Sequence, residues 1–247
     1  MNQRDKIIQL SIQNQGEWIK ITKAIQQNQP IQYLHKPHTP CITILDTEYP
    51  NVLKQLRYPP WVLFYEGDIT LLKKKCMTIV GSRELSQYGI HCTNSIASIL
   101  SQRYVIVSGL AKGADACAHA SAINSFGKTI GVIGSGLNIE YPKCNASLYQ
   151  EMKRNHLILS EYPFDVPIQK HHFVWRNRIL AALGEKCIVT SAKKRSGTML
   201  TVNEAITLGK EVWCVPYEMN HIEGEGCNLL IEQGAQILYE NKQLYEL

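Results

Sequence analysis

The sequence predicts an α/β fold whose mostly parallel sheet is covered by helices on both faces. Short apolar runs recur along the chain, and helix-like stretches separate them. Strands that are apolar throughout, without polar alternation, are typical of sheets that are buried on both faces. Several runs end in Gly and Ser directly before a helix-like stretch, where the chain of such a fold has to turn. The runs cover residues 76–80, 104–108, 129–133, 157–160, 187–190, 211–215 and 235–238.

Composition excludes several classes of protein. The chain has 247 residues, of which 45% are hydrophobic and 19% charged, as expected for an ordered globular protein. The net charge of +5 permits nucleic acid or a phosphorylated ligand without requiring either. No apolar run is long enough to span a membrane, and the polar start Met1–Lys6 lacks the apolar core of a signal peptide. We therefore expect a cytoplasmic protein with no membrane partner. Its eight cysteines include no Cys-x-x-Cys pair, so we expect free thiols.

The chain divides into a short first segment and a main domain. Residues 1–40 combine apolar positions at partly helical spacing with many Gln and Asn residues, and Gln26–Pro30 breaks this pattern. This segment is too small for an independent enzyme, so we expect a small helical lead-in. Residues 41–247 contain all of the predicted parallel strands and form the expected main domain.

Turns rich in Gly and Ser follow the predicted strands. Gly81-Ser82-Arg83 follows the first run, and Ser108-Gly109 follows the second, with Lys112 close behind. A strand end that leads into a helix presents free backbone N–H groups and the positive end of the helix dipole, to which anions bind. The alternative is that these glycines only let the chain turn. A further turn, 193–197, is strongly basic and precedes another helix-like stretch, so we expect an anionic ligand near these strand ends.

A second basic segment, residues 170–178, interleaves aromatic side chains with cations. Aromatic faces stack on unpaired bases while Arg and Lys hold phosphates, which is the chemistry of single-strand binding. The alternative is an amphipathic helix that places Phe173 and Trp175 in the core and leaves the arginines in solvent. Spacing alone does not separate the two interpretations.

Catalytic and metal-binding patterns are sparse. Asp115 and His119 lie four residues apart on one predicted helix face, where capping and packing explain them better than catalysis. His171-His172 has no second acidic or Cys/His pair at ligand spacing. The sequence contains no Gly-x-Ser-x-Gly elbow, no phosphate-binding P-loop and no Gly-x-Gly-x-x-Gly fingerprint. We therefore expect neither an enzyme nor a bound metal or cofactor.

Taken together, the motifs of this chain resemble those of the DprA/Smf family of bacterial DNA-processing proteins. They occur in the family's order between about Tyr49 and about Leu238. The matching motifs are Ile79-Val80-Gly81-Ser82-Arg83, Val107 through Asp115 with Ala118-His119, Gly134 through Tyr141-Pro142 with Asn145, Ser160-Glu161-Tyr162-Pro163, Phe173 with Arg176-Asn177-Arg178-Ile179, Ser196-Gly197-Thr198 with Thr201, and Gly226-Cys227-Asn228 with Gly234-Ala235.

The resemblance implies an extended Rossmann-like fold that binds single-stranded DNA. It also implies a dimer that protects incoming DNA during natural transformation and assists in loading the RecA recombinase. By the same resemblance, the basic strand end and the 170–178 segment should contact DNA, and the Gly/Ser turns should shape a phosphate pocket. With the basic turn, the predicted DNA-binding residues are Gly81, Ser82, Arg83, Ser108, Gly109, Lys112, Lys170, Phe173, Arg176, Asn177, Arg178, Lys193, Arg195, Ser196 and Gly197.

The chain also departs from the family's pattern. Ser191 stands where many members have Glu, and Pro216-Tyr217 where they have Pro-Gly. We further expect no C-terminal winged-helix-like domain after Leu247 and a reduced N-terminal domain. Two alternatives stay open, a nucleotide-sensing module and a nucleoside monophosphate phosphoribohydrolase-like enzyme. Arg195–Thr198 together with Glu204 partly matches the motif of the second class.

Overall fold

A computed structural model describes residues 1–31 and 39–247 of the chain. Residues 32–38, which belong to the predicted lead-in, lie outside the described residues. The strands are β1 (Cys41–Thr43), β2 (Val62–Gly67), β3 (Cys76–Val80), β4 (Val105–Ser108), β5 (Thr129–Val132), β6 (Leu157–Ser160), β7 (Cys187–Val189), β8 (Val212–Cys214) and β9 (Gln236–Ile237). The α-helices are α1 (Gln3–Gln13), α2 (Trp18–Gln26), α3 (Asn51–Lys54), α4 (Gln87–Leu100), α5 (Ala114–Asn124), α6 (Ala146–Asn155), α7 (Lys170–Leu183), α8 (Gly197–Thr207) and α9 (Glu225–Glu232).

The strands form one sheet in the order β1-β2-β6-β5-β4-β3-β7-β8-β9. Strands β3 to β9 pair in parallel, and β1 and β2 add an antiparallel edge. From β3 the chain builds towards β6 in one direction and then, from β7, towards β9 in the other. The strand order therefore reverses between β3 and β7, which is where ligands bind in open α/β sheets. The predicted α/β class and mostly parallel sheet are confirmed.

Successive residues of the central strands enter different cores. Val105 and Val107 of β4 pack in a cluster on one side of the sheet, whereas Ile106 packs in a cluster on the other. Side chains alternate across a strand, so each face of β4 needs a cover of its own. Helices supply that cover on both faces, which explains why these runs are apolar throughout.

The first two helices pack on the antiparallel edge of the main sheet. Ile7 and Ile8 of α1 share a core cluster with Phe64 of β2 and Ile158 of β6. In α2, the Trp18 indole N–H donates to Pro59 O at 2.7 Å. The predicted helical character of the first segment is confirmed where the structure describes it. The boundary at residue 40 stays a prediction.

None of the helices in the two described stretches is long and apolar enough to cross a membrane. All eight cysteines are free thiols, as expected. Burial raises the pKa of the Cys187 thiol to about 12, so this side chain behaves as a small apolar core residue.

Candidate functional site

A cleft of about 640 Å³ opens where the strand order reverses. The residues after β3 form its floor, the loop before α8 and the start of that helix form one wall, and α7 forms the other. The lining residues are Val80, Gly81, Ser82, Arg83, Glu84, Ala111, Asp115, Tyr141, Ile168, Lys170, Phe173, Val174, Arg176, Asn177, Leu180, Lys193, Ser196, Gly197, Thr198, Leu200 and Thr201.

Helix α7 turns one face of the predicted basic segment towards the cleft. Lys170, Phe173, Val174 and Asn177 line the cleft, and their spacing of three and four residues places them on one side of the helix. His172 and Arg178, by contrast, are buried in the protein. The segment therefore has features of both interpretations. One side of α7 lines the cleft, and another side packs in the core.

Three exposed cations surround the cleft. Arg83 follows β3, Lys170 begins α7, and Lys193 lies in the loop after β7. Lys193 is the only one of these for which we find an ion pair in the described residues, with Glu84 at 3.3 Å. An exposed pair of this kind contributes about 0–1 kcal/mol, so a phosphate can displace Glu84 at little cost.

Two aromatic side chains, Tyr141 and Phe173, also line the cleft. The Phe173 ring is half-buried, with its centre 5.9 Å from that of Tyr141. The side chain of Tyr141 is 44% exposed, so one face of this pair is open to a ligand. Sequence reasoning quoted Tyr141 within a motif but did not place it in the site. Its position after β5 could have indicated it, because the carboxyl ends of parallel strands meet at one edge of the sheet.

The N-terminus of α8 enters the cleft with unused hydrogen-bonding groups. Ser196 is the N-cap residue, yet its side chain makes no capping bond, and its buried Oγ has no partner in the described residues. Gly197 follows, and an added Cβ there would meet no atom within 4 Å. Thr198 donates from Oγ1 to Gly81 O at 2.9 Å, which ties the helix start to the end of β3. A helix start of this kind can bind an anion.

Arg178 does not line the cleft, and its predicted DNA contact stays a prediction. The side chain is buried, and its guanidinium forms a two-pronged ion pair with Glu161 at 2.6 and 3.1 Å. It also donates to Tyr58 O and lies over the Trp175 ring. The physical reason is helical phase, because Arg178 follows Phe173 by five residues and is turned from it by about 140° around α7.

Arg176 lies beneath the cleft, with only 5% of its surface exposed. Its guanidinium donates to Gly109 O at 2.9 Å and to Val132 O. Gly109 directly follows β4, and Val132 is the last residue of the neighbouring strand β5. Burial raises the pKa of the nearby Asp115 carboxyl, and the Arg176 charge opposes that rise. Arg176 therefore has a structural role at the edge of the cleft lining, and its predicted DNA contact stays a prediction.

The Gly/Ser turns hold the sheet together more than they face a ligand. The Ser82 N–H donates to Ser191 Oγ at 2.9 Å, and Ser108 Oγ donates to Ile79 O at 2.7 Å. Ser108 and Gly109 are buried and lie outside the cleft lining, so they do not shape the predicted pocket surface. Gly81 does line it, and an added Cβ would lie 2.5 Å from Ala114 Cβ.

The remaining predicted residues divide in the same way. Asn177 lines the cleft, whereas Lys112 and Arg195 are exposed but lie outside the lining. Glu204, the acidic residue of the partial phosphoribohydrolase-like motif, also lies outside the cleft lining. His119 is fully buried and donates from Nδ1 to Thr129 Oγ1 at 2.6 Å, because the Thr129 hydroxyl itself donates to Ile106 O. The expected packing role of His119 agrees with this position.

One cluster was missed by the sequence analysis. His171 and His172 have an acidic partner in Glu17, which no local spacing could reveal because it precedes them by more than 150 residues. Sequence reasoning found no ligand set for a metal around these histidines. The structure brings the three side chains together, with one ligand atom of each within 4.8 Å of the others.

The chain is similar in sequence to known proteins. The family described as DNA recombination-mediator protein A matches residues 40–247. The DNA processing protein DprA of Streptococcus pneumoniae is 42% identical over 200 residues, covering 81% of this chain and 71% of the relative. Its Bacillus subtilis counterpart is 40% identical over 207 residues, covering 83% and 70%.

Solved structures agree. The X-ray structure of DprA from Streptococcus pneumoniae superposes with a TM-score of 0.85 at 32% identity, covering 98% of this chain and 95% of that one. A Helicobacter pylori DprA structure, described as giving insight into a single-stranded DNA binding mode, superposes with a TM-score of 0.77 at 32% identity, covering 85% and 95%. The predicted Rossmann-like fold and the resemblance are thereby confirmed, and the chain belongs to the DNA recombination-mediator protein A family.

Proposed function

We propose that this chain binds single-stranded DNA in the cleft between α7 and the start of α8, as a DNA-processing protein. The observation that carries this function is that exposed cations and partly exposed aromatic side chains line the same cleft. Arg83, Lys170 and Lys193 supply phosphate contacts, while Phe173 and Tyr141 supply stacking surfaces. Stacking is worth about 1–3 kcal/mol per base and is available only where bases are unpaired.

The partly sheltered anion site at α8 adds a second kind of contact. The free Ser196 Oγ and the backbone N–H groups that follow it favour a phosphate oxygen. Because these groups contact the backbone of the nucleic acid and not base edges, binding should depend little on sequence.

The testing experiment is a titration of single- and double-stranded oligonucleotides of equal length, at several salt concentrations, followed by fluorescence anisotropy. We expect tighter binding of the single strand and a marked loss of affinity with salt. Tyr141→Ala should weaken single-strand binding by stacking energy alone. Phe126→Ala is the matched control, because this aromatic residue is 98% exposed and lies outside the cleft. Equal affinity for both forms of DNA would contradict the proposal.

Four further parts of the function are proposals of the same kind. Protection of incoming DNA, assistance in loading RecA, dimerisation and a cytoplasmic location follow from family membership and the proposed DNA binding. The acidic groups of the cleft lining are Glu84, which pairs with Lys193, and Asp115, which is buried beside Arg176, so neither offers a free carboxylate as a general base. We therefore expect no hydrolysis. Release of base from a nucleoside monophosphate, abolished in a Glu204→Ala variant, would instead support the phosphoribohydrolase-like alternative.

A further inference from the structure

The geometry points to a binding site for a divalent transition-metal ion, Zn²⁺, formed by Glu17, His171 and His172. Glu17 is the N-cap residue of α2, and the two histidines lie in the first turn of α7. Each residue offers one ligand atom, and the three atoms lie within 4.8 Å of one another. Two imidazoles and one carboxylate are a ligand set that Zn²⁺ uses in proteins.

The separations between each histidine nitrogen and the Glu17 oxygen match a metal site. Both histidines present the same nitrogen, Nε2, to the same oxygen, Glu17 Oε1, at 3.1 Å for His171 and 3.3 Å for His172. In a tetrahedral site with metal–ligand bonds of about 2.0–2.1 Å, neighbouring ligand atoms lie about 3.3–3.4 Å apart. An ion can therefore enter the triangle with small side-chain movements, and a fourth position stays open to water.

The fold holds two of the three ligands in place. The His172 ring is fully buried and stacks on Tyr162, with ring centres 3.8 Å apart. Gly16, directly before Glu17, has a φ of +76°, and an added Cβ would lie 2.5 Å from Glu161 O. Both contacts fasten the ligands to the same segment after β6. The His171 side chain is 58% exposed, so an ion can reach the site from solvent.

The bound ion would connect two parts of the chain. Glu17 belongs to the N-terminal helices, whereas His171 and His172 lie beside Lys170 and Phe173 of the cleft wall. Such a cross-link stabilises the folded protein, because the unfolded chain does not bring these ligands together. This consequence does not depend on DNA binding, so it can be tested separately from the proposed function.

The experiment uses the full chain, freed of metal by a chelator and then dialysed. Titration with Zn²⁺ in a calorimeter should show one equivalent bound, and the melting temperature should rise on addition of Zn²⁺. His171→Gln and Glu17→Gln should each weaken Zn²⁺ binding by at least about tenfold. His171→Gln is the principal variant because its exposed side chain can be replaced without disturbing the core. His91→Gln is the matched control, an exposed histidine elsewhere.

Free thiols are the competing ligands, and Cys144 is exposed. Titration with Co²⁺ separates the two, because thiolate coordination gives an intense near-ultraviolet charge-transfer band that nitrogen and oxygen ligands do not give. We expect visible d–d bands without that thiolate band, unchanged in Cys144→Ser. No stoichiometric binding, unchanged affinity in both His171→Gln and Glu17→Gln, or a thiolate band that disappears in Cys144→Ser would each overturn the inference.

Discussion

The guanidinium carbon of Arg83 lies 5.7 Å from the centre of the Phe173 ring. Arg83 comes from the floor of the cleft, after β3, and Phe173 from the wall that α7 forms. A cation over an aromatic face is attracted by the ring's quadrupole. A phosphate contact and a stacking surface are therefore parts of one unit, so that disturbing one affects the other.

This contact predicts coupled effects on DNA binding. Arg83→Ala should lower the slope of log affinity against log salt by about 0.7, the value for one phosphate contact on a single strand. Phe173→Ala should cost about 1–3 kcal/mol of binding energy and leave the slope nearly unchanged. The double variant should lose less than the sum of the two, by about 0.5–1 kcal/mol. Salt-dependent titrations of all three variants measure these quantities.

Arg57 provides the control for that cycle. It lies over the Tyr58 ring at 5.1 Å, but the pair stands outside the cleft. Arg57→Ala should therefore keep the wild-type salt slope. Strict additivity of the Arg83 and Phe173 changes would show that the two residues act independently on DNA.

Two glycines of the cleft should respond in opposite ways to the same substitution. Gly81→Ala should destabilise the protein, because the new methyl group would lie 2.5 Å from Ala114 Cβ and 2.7 Å from Thr190 Oγ1. Gly197→Ala has open space around it, so the fold should be kept or slightly stabilised. If a phosphate approaches the backbone there, Gly197→Ala should nevertheless weaken DNA binding. Thermal unfolding together with a DNA titration distinguishes these effects, and equal melting temperatures for both variants would contradict the steric argument.

Removing the Arg178 side chain should lower the stability of the protein and leave its electrostatic attraction to DNA unchanged. Arg178→Met leaves the buried Glu161 carboxylate without its ionic partner, which costs about 3–5 kcal/mol of unfolding free energy. Lys193→Met breaks only the exposed pair with Glu84, at a cost of about 0–1 kcal/mol, and should instead lower the salt slope of binding. Urea unfolding and salt titrations of both variants check this reversal. A normal unfolding midpoint for Arg178→Met would refute it.

The buried His119 should make stability depend on pH. Burial, with help from the His156 and Arg176 charges, lowers the pKa of His119 to about 3 in the folded state. Between this value and the unfolded pKa of about 6.5, only the unfolded chain takes up the proton, so stability falls as the pH falls. The loss approaches about 1.4 kcal/mol per pH unit within that window.

His119→Asn removes the titrating group while its amide can still donate to Thr129. Unfolding free energies at several pH values between 7 and 4.5 should fall less steeply for this variant than for the wild type. His156 also has a lowered pKa caused by burial, so part of the wild-type dependence should remain. Identical slopes for the two proteins would exclude His119 as a source of the pH dependence.

Much of the fold follows from local sequence, whereas the site depends on helical phase. The apolar runs at 76–80 and 187–190 predicted strands because each is buried on both sides. The composition of the 170–178 segment allows either a DNA-binding patch or an amphipathic helix, and a helix turns successive residues by about 100°, which separates Phe173 from Arg178. Only the packing of α7 decides which side meets the ligand.

Contacts between distant parts of the chain were the other limit. Glu161 and Arg178 lie in separate predicted elements, and no rule of spacing indicates that one would neutralise the other. Ser191 departs from the family's pattern, and the sequence does not indicate its role. In the structure its Oγ accepts a hydrogen bond from Ser82 N. These pairings are set by strand order, which the sequence does not reveal residue by residue.

Arg176 gives the cleft a property that concerns rates. Its guanidinium fastens α7, one wall of the cleft, to the carboxyl ends of β4 and β5 in the sheet. A site already held in its binding shape needs little rearrangement when DNA arrives. We expect association to be limited by diffusion and accelerated by the surrounding positive charge, and differences in affinity among cleft variants to appear chiefly as faster dissociation.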